Sequence, residues 1–206
     1  AAGWARLDHY LWESDLVTKY KETRNGLVGE DYSTKFSAYL ALGCLSARSI
    51  AAEVTRYEAE RTKNRSTYWV IFELLWRDYF RFICQQHVDR VFKQGGIRSK
   101  TWQPQHDEEK WAAWKEGRTG YPFVDANMIE LNQTGFMSNR GRQNVASFLV
   151  RDLKLDWRLG AEYFESLLID YDVCSNWGNW TYAAGVGNDP REDRYFNVIG
   201  QAKRYD

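Results

Sequence analysis

The stretch Ser66-Thr-Tyr-Trp69-Val-Ile-Phe72-Glu-Leu-Leu-Trp76-Arg-Asp-Tyr79-Phe80-Arg-Phe-Ile83-Cys-Gln-Gln-His87 sets Trp69, Phe72, Trp76, Tyr79, Phe80 and Ile83 at steps of three and four residues. That is the period of an α-helix with one face turned inward. Reading outward, Ser46 is placed to cap a helix over residues 47–61. A short helix over 125–132 follows Tyr121-Pro122 and closes at Gly135. A further helix is expected over 138–153, and Asp156 is placed to cap one over 157–168. Gly178, Gly185 and Gly187 are expected to break the pattern afterwards. Strand-like alternation is scarce, and neither a fixed-period repeat nor a Gly/Ser linker interrupts the chain. The expectation is an all-α domain over residues 1–206.

Composition narrows the function classes. Lys plus Arg equals Asp plus Glu at 28 each, so contact with nucleic acid would need a local patch rather than overall charge. Cys44, Cys84 and Cys174 are odd in number and have no CxxC spacing, which reads as buried, reduced thiols. His9, His87 and His106 lack paired ligand spacing, so no metal site is expected. No stretch reaches the roughly 18 apolar residues of a membrane span. Ten tryptophans stand out. Core packing explains any one of them, but not why so many lie beside charged residues.

Four segments carry candidate chemistry. Tyr32-Ser33-Thr34-Lys35-Phe36-Ser37 puts hydroxyls and a lysine before an apolar helix, an arrangement that suits a phosphate and equally an ordinary N-cap. Glu73, Trp76, Arg77 and Phe80 share one helical face, either to grip a flat heterocycle or as an i,i+4 salt bridge beside a half-buried indole. Asn139 and Arg142 open a helix some thirty residues before Asp170, Asp172 and Asn176. Paired carboxylates raise the possibility of glycosidase chemistry. Residues two apart on a helix diverge, however, so Asp170 and Asp172 fit better as an arginine partner and a hydrogen-bond acceptor. Finally, Trp177 and Trp180 are oxidisable indoles, although packing explains each singly.

In this order the segments resemble the photolyase/cryptochrome family, from about Trp12 to Asp206. The resemblance is carried by Tyr20-Lys-Glu-Thr-Arg-Asn25, the 33–37 run, Gly43-Cys-Leu-Ser46 and Glu73-Leu-Leu-Trp-Arg-Asp-Tyr-Phe80. It continues through Gly117-Arg-Thr-Gly-Tyr-Pro122, Asn139-Arg-Gly-Arg142, Asp156-Trp157 and Asn176-Trp-Gly-Asn-Trp180. Gln143 and Tyr182 stand where duplex-repairing photolyases tend to carry methionine and tryptophan, and so resemble the DASH branch.

That resemblance implies a helical FAD-binding domain. Tyr20, Ser33, Thr34, Lys35, Phe36 and Ser37 would meet the diphosphate and ribityl part, while Arg77 and Asn139 line the adenine side. Arg142 would pair with Asp170 beside the isoalloxazine, Asp172 would bond its pyrimidine edge, and Asn176 would face the ring nitrogen protonated on reduction. Trp180, Trp157 and Trp102, in that order toward the surface, would pass electrons to the photoexcited flavin. Glu73, Trp76, Gln143 and Tyr182 would meet the substrate, a cyclobutane pyrimidine dimer in single-stranded DNA. Tyr182 offers less stacking surface than tryptophan, and stacking is worth roughly 1–3 kcal/mol per base. A dimer in a single strand costs less to extrude than one in a duplex.

The resemblance further implies an N-terminal α/β domain with an antenna pigment such as a folate, and a final segment, both outside this chain. It also implies a monomeric intracellular protein and leaves the compartment open, organelle targeting to chloroplast or mitochondrion being common among eukaryotic relatives. The competing readings are a photoreceptor that signals through flavin photoreduction without repair, and an aromatic-rich helical interaction protein with no cofactor.

Overall fold

The computed structural model describes residues 2–101, 103–191 and 194–205, and it is all-α. The chain divides into two compact units, Ala1–Tyr79 and Phe80–Asp206. In the first, α1 (Ala2–Asp8) runs into a π-turn, His9–Glu13, and a 3-10 turn, Leu16–Lys19. Then come α2 (Tyr20–Thr23), α3 (Ser37–Ala41), α4 (Ala47–Glu60) and most of α5 (Arg65–His87). Ile50, Val54 and Tyr57 recur on one face of α4 and are buried with Leu7, Tyr10, Leu11 and Val17. Ser46 caps α4 as expected, its hydroxyl accepting from the Ser49 N–H at 3.0 Å. The α5 helix starts one residue earlier than the apolar period suggested. The Asn64 side chain accepts from the Ser66 and Thr67 amides at 2.8 and 3.0 Å, taking two of the donors a helix start leaves unpaired.

The second unit contains α6 (Glu108–Glu116), α7 (Pro122–Thr134), α8 (Asn139–Ser147), α9 (Trp157–Leu167), α10 (Val173–Ala184) and α11 (Val198–Tyr205). Its core holds Trp114, Met128, Leu131, Val145, Leu149, Trp157, Phe164 and Trp180. Two of the buried indoles bond backbone carbonyls through their N–H. Trp114 donates to the Val145 carbonyl at 3.1 Å and Trp157 to the Gln94 carbonyl at 3.0 Å.

Several expectations are corrected. The helix anticipated over 138–153 is α8 followed by a π-turn, Phe148–Asp152. The wider turn lets three successive residues, Phe148, Leu149 and Val150, all enter the core. Gly178 does not break the pattern but sits inside α10, because a Cβ there would lie 2.3 Å from the Phe80 ring. The helix placed over 125–132 runs from Pro122, with its fixed φ suited to a first turn, to Thr134, closed by Gly135 at φ +68. Helix α6, capped by Asp107 and closed by Gly117, was legible from those two residues and was not anticipated. The thiols are less buried than composition suggested, since Cys44 is exposed and Cys84 and Cys174 are half-buried. Among the described residues no helix is long and apolar enough to cross a membrane.

Helix α9 meets α10 closely at Gly160, where a Cβ would fall 2.2 Å from Cη2 of Trp180. Gly160→Ala is expected to destabilise the chain by about 1–3 kcal/mol, the usual cost of overpacking a filled core, read by urea denaturation.

Candidate functional site

The second unit gathers charged and polar side chains at the start of α8, in the turn before α10 and along the first turns of α10. Ser138 caps α8 by accepting from the Gly141 N–H at 2.9 Å, which puts Asn139 on the exposed first position and Arg142 one turn in. Arg142 donates from Nε to the Met137 carbonyl at 2.9 Å and from Nη2 to both oxygens of Asp170 at 3.0 and 2.8 Å. The Asp170 side chain is 2% exposed and Arg142 26%, so the carboxylate is buried while its cation keeps one open side. A charge-assisted pair of this kind holds a guanidinium in one orientation.

Asp170 and Asp172 do not lie on a helix, as the sequence reading had placed them. They stand in the turn between α9 and α10, because Asp172 is the N-cap of α10. Its Oδ1 accepts from the Ser175 N–H at 2.9 Å, and its Oδ2 lies 3.5 Å from Arg81. The two carboxylates still serve separate partners. One turn along α10, Asn176 is buried and donates from Nδ2 to the Ala161 carbonyl at 3.0 Å. That bond fixes the amide and directs Oδ1 away from α9. Beside Arg142, the Gln143 Oε1 is buried with no hydrogen-bond partner among the described residues, an acceptor that needs a donor.

The expected indoles lie in the same unit. Trp180 packs on Phe164 and Trp114, with ring centres 5.1 and 6.2 Å away, and Trp157 packs on Trp177 at 5.7 Å. Trp102 lies outside the described residues. Tyr182 is half-buried. Its hydroxyl accepts from Arg194, whose guanidinium lies 4.7 Å over the ring and also binds the buried Asp189. Neither Arg194 nor Asp189 figured among the sequence candidates, since no local spacing links them to Tyr182.

In the first unit the 33–37 segment is organised from outside itself. Arg6 donates to the carbonyls of Glu30, Ser33 and Thr34 at 2.9, 3.0 and 3.0 Å and to the Asp31 carboxylate at 2.9 Å. Three of the loop's carbonyls, at residues 30, 33 and 34, are thereby taken by one side chain. Lys35 has φ +57 and donates to the Tyr32 hydroxyl at 2.6 Å, 3.9 Å above that ring. The helix that follows, α3, has only five residues, so its dipole adds little to an anion site. Phe36 turns its side chain into the core, 6.0 Å from Tyr10, while Ser37 is exposed.

Glu73 does not pair with Arg77. Its carboxylate is held by Arg24 at 2.7 Å, and Arg77 points toward the Leu40 carbonyl at 3.4 Å. Tyr20 is buried beside the same ion pair. Burial and the Glu73 charge raise its phenol to about 12. Burial likewise raises the Glu73 carboxyl above its ordinary 4.5, against the pull of Arg24. Trp76 meets Phe72 and Tyr79 edge-on at 6.3 and 5.5 Å. Arg24, which binds two of the expected residues' surroundings, was present only as part of a motif. Its i,i+4 spacing from Tyr20 was the available signal.

Residues 69–206 match the family described as the FAD binding domain of DNA photolyase. The chain belongs to the photolyase/cryptochrome family. It is 62% identical over 205 residues to the cryptochrome DASH of Synechocystis sp., covering all of this chain and 42% of that relative. A crystal structure of a Synechocystis cryptochrome superposes with TM-score 0.97 at 62% identity, over 99% of this chain and 42% of the other. An archaeal photolyase from Sulfolobus tokodaii, solved with two FAD molecules, is similar at TM-score 0.74 and 34% identity, over 92% of this chain and 42% of that one. The chain thus spans under half the length of these family members.

The residues fit the family's cofactor. One cation, two carboxylates and a fixed carboxamide, in α8, before α10 and in its first turns, are of the mixed donor and acceptor chemistry that an isoalloxazine edge requires.

Two expectations follow. Arg142→Ala leaves the buried Asp170 carboxylate without its cation and should cost about 3–5 kcal/mol in a chemical denaturation series. For Glu73, the folded state holds its proton more tightly than the unfolded state, so stability falls as pH rises through the window above 4.5. Glu73→Gln removes that term. The stability of wild type relative to this variant should therefore decline from acidic pH toward neutrality, and a difference that rises or stays flat contradicts the assignment.

Proposed function

We propose that this chain is the FAD-holding part of a light-driven lyase that splits cyclobutane pyrimidine dimers in single-stranded DNA. The observation that carries the reading is the arrangement at α10, where Asn176, fixed by the Ala161 carbonyl, follows Asp172 and the Arg142-bound Asp170 by a few residues. Family membership supports the cofactor, as does the FAD found in the similar Sulfolobus tokodaii photolyase.

Bound FAD supplies the photochemistry, accepting an electron when oxidised and excited and giving one to the dimer when reduced. The chain's own residues bind and orient. Arg142 offers a guanidinium that Asp170 and the Met137 carbonyl prevent from turning, so it presents hydrogen-bond donors without reorganising. Asn176 offers Oδ1 as an acceptor and a second Nδ2 hydrogen as a donor, and so tolerates either protonation state of a ring nitrogen. Asp172, whose Oδ1 caps α10 and whose Oδ2 lies 3.5 Å from Arg81, is the proposed contact of the pyrimidine edge. Trp180 and Trp157 are the proposed electron donors, both buried in the core of the second unit. Ser33, Thr34, Lys35 and Ser37, with Tyr20, are the proposed diphosphate and ribityl contacts, through hydroxyls and N–H groups rather than the Phe36 ring. Arg77 and Asn139 are the proposed adenine contacts.

For the substrate, Glu73 is the proposed hydrogen-bond partner of the dimer, and its raised carboxyl suits a group that shares a proton with a carbonyl. Trp76 supplies stacking surface, with Gln143 and Tyr182 beside it in role. Overall charge is balanced, so contact with nucleic acid would run through a local basic patch rather than net charge. An antenna pigment such as a folate would belong to an α/β domain outside this chain, and the protein is proposed to act as a monomer. The second reading, a photoreceptor that signals without repair, draws on the cryptochrome names of the relatives.

Purified chain mixed with FAD is expected to show a flavin absorption band that bleaches under blue light with a reductant, more slowly in Trp180→Phe. Adding an oligonucleotide with a single thymine dimer to the same sample separates the readings. Light-dependent restoration of thymine supports the lyase, whereas bleaching without restoration supports the sensor. Failure to take up FAD overturns both.

A further inference from the structure

Helix α6 carries Trp111 and Trp114 three residues apart, and therefore on one face, which it turns to α9 and α10. The Trp114 ring is fully buried, with Trp180 of α10 6.2 Å away and Trp111 stacked on it at 5.5 Å. Tyr163 of α9 closes the cluster, 6.0 Å from Trp114 and 5.8 Å from Trp111. Trp111 and Tyr163 are half-buried, and the Tyr163 hydroxyl donates to Oδ1 of the exposed Asn132 at 2.6 Å. Oxidisable rings therefore run without a break from Trp180, in the core, to a phenol at the surface. Packing accounts for bulk at each place, but leucine or phenylalanine would fill the core as well.

We propose that Trp114 and Tyr163 form a second electron relay to Trp180, ending on Tyr163 at the surface of the second unit. The inference rests on the function proposed above, in which Trp180 loses one electron to the photoexcited flavin. Trp114 then gives one electron to oxidised Trp180, and Tyr163 gives one to oxidised Trp114, directly or through Trp111. The Trp114 N–H donates to the Val145 carbonyl, which is too weak a base to keep its proton, so this indole passes the charge on. Trp111 makes a poor end point, because the Lys115 ammonium lies 5.2 Å over its ring and opposes a positive charge there. Tyr163 can shed its charge. Burial and the Glu116 carboxylate raise its phenol, so it rests as a neutral donor. Once oxidised it releases its proton to water and becomes a neutral radical. A thiol reductant in solution returns one electron and one proton to it, and is itself left as a thiyl radical.

The test uses the FAD-loaded chain under blue light with a nitroso spin trap and no thiol, followed by peptide mapping by mass spectrometry. The expected result is a trap adduct on Tyr163 that is kept in Trp157→Phe and lost in Trp114→Phe and Tyr163→Phe. Flavin bleaching with a thiol should continue in Trp114→Phe through Trp157, which also shows that this variant is folded and loaded. An adduct that survives Trp114→Phe, or that disappears in Trp157→Phe, overturns the relay. So does bleaching of the wild type with no adduct on Tyr163. If Trp114→Phe does not hold FAD, flash spectroscopy of wild type against Tyr163→Phe decides. A tyrosyl radical signal present in the first and absent from the second supports the relay, and identical transients overturn it. A wild type that takes up no FAD, or does not bleach, overturns the function proposed above and the relay with it.

Discussion

Gly160 and Ala161 fix where α10 lies. Gly160 leaves room for the Trp180 ring, and the next residue along α9 presents its carbonyl to Asn176. These two contacts, one steric and one a hydrogen bond, are made by α10 residues four apart and therefore on one face. They set both the approach of the two helices and the rotation of α10 about its own axis. Once that rotation is set, Asp172 caps the helix, Trp177 meets Trp157, and Gly178 receives Phe80. A larger residue at position 160 would push on the core and on the candidate flavin contacts at the same place.

The electrostatic features follow a common pattern in which a carboxylate is buried only together with a cation that has a second anchor. Asp170 has Arg142, which also holds the Met137 carbonyl. Asp189 has Arg194, which also holds Tyr182. Glu73 has Arg24, beside Tyr20. In each case the second anchor removes freedom from the arginine, so a fixed donor array is obtained without leaving a buried charge alone. Arg6 extends the pattern to backbone, collecting three carbonyls of the 30–34 loop and so shaping a segment that contains no regular helix of its own.

Much of the helical architecture was legible because local chemistry and period agree there. Ser46 and Asp156 cap where they were expected to, and the α5 period runs unbroken for twenty-three residues. Legibility failed where a distant side chain overrides the local signal. Gly178 reads as a breaker until the Phe80 ring is placed against it, and the π-turn after Ser147 exists because three successive apolar residues are drawn inward. Among the candidate residues the pairings were legible only in part. Arg142 and Asp170 meet as expected, yet Glu73 takes Arg24 in place of its helical neighbour Arg77, because Arg24 shares its burial with Tyr20.

By itself the sequence determined the helical class, most caps and breaks, and family membership, since each of these depends on residue types at short spacing or on their order along the chain. Only the tertiary structure decided which charges pair, which way the Asn176 amide is turned, and that the Phe36 ring packs beside Tyr10. Those outcomes depend on groups brought together from distant positions, where burial decides the partner and sequence separation carries no information about contact.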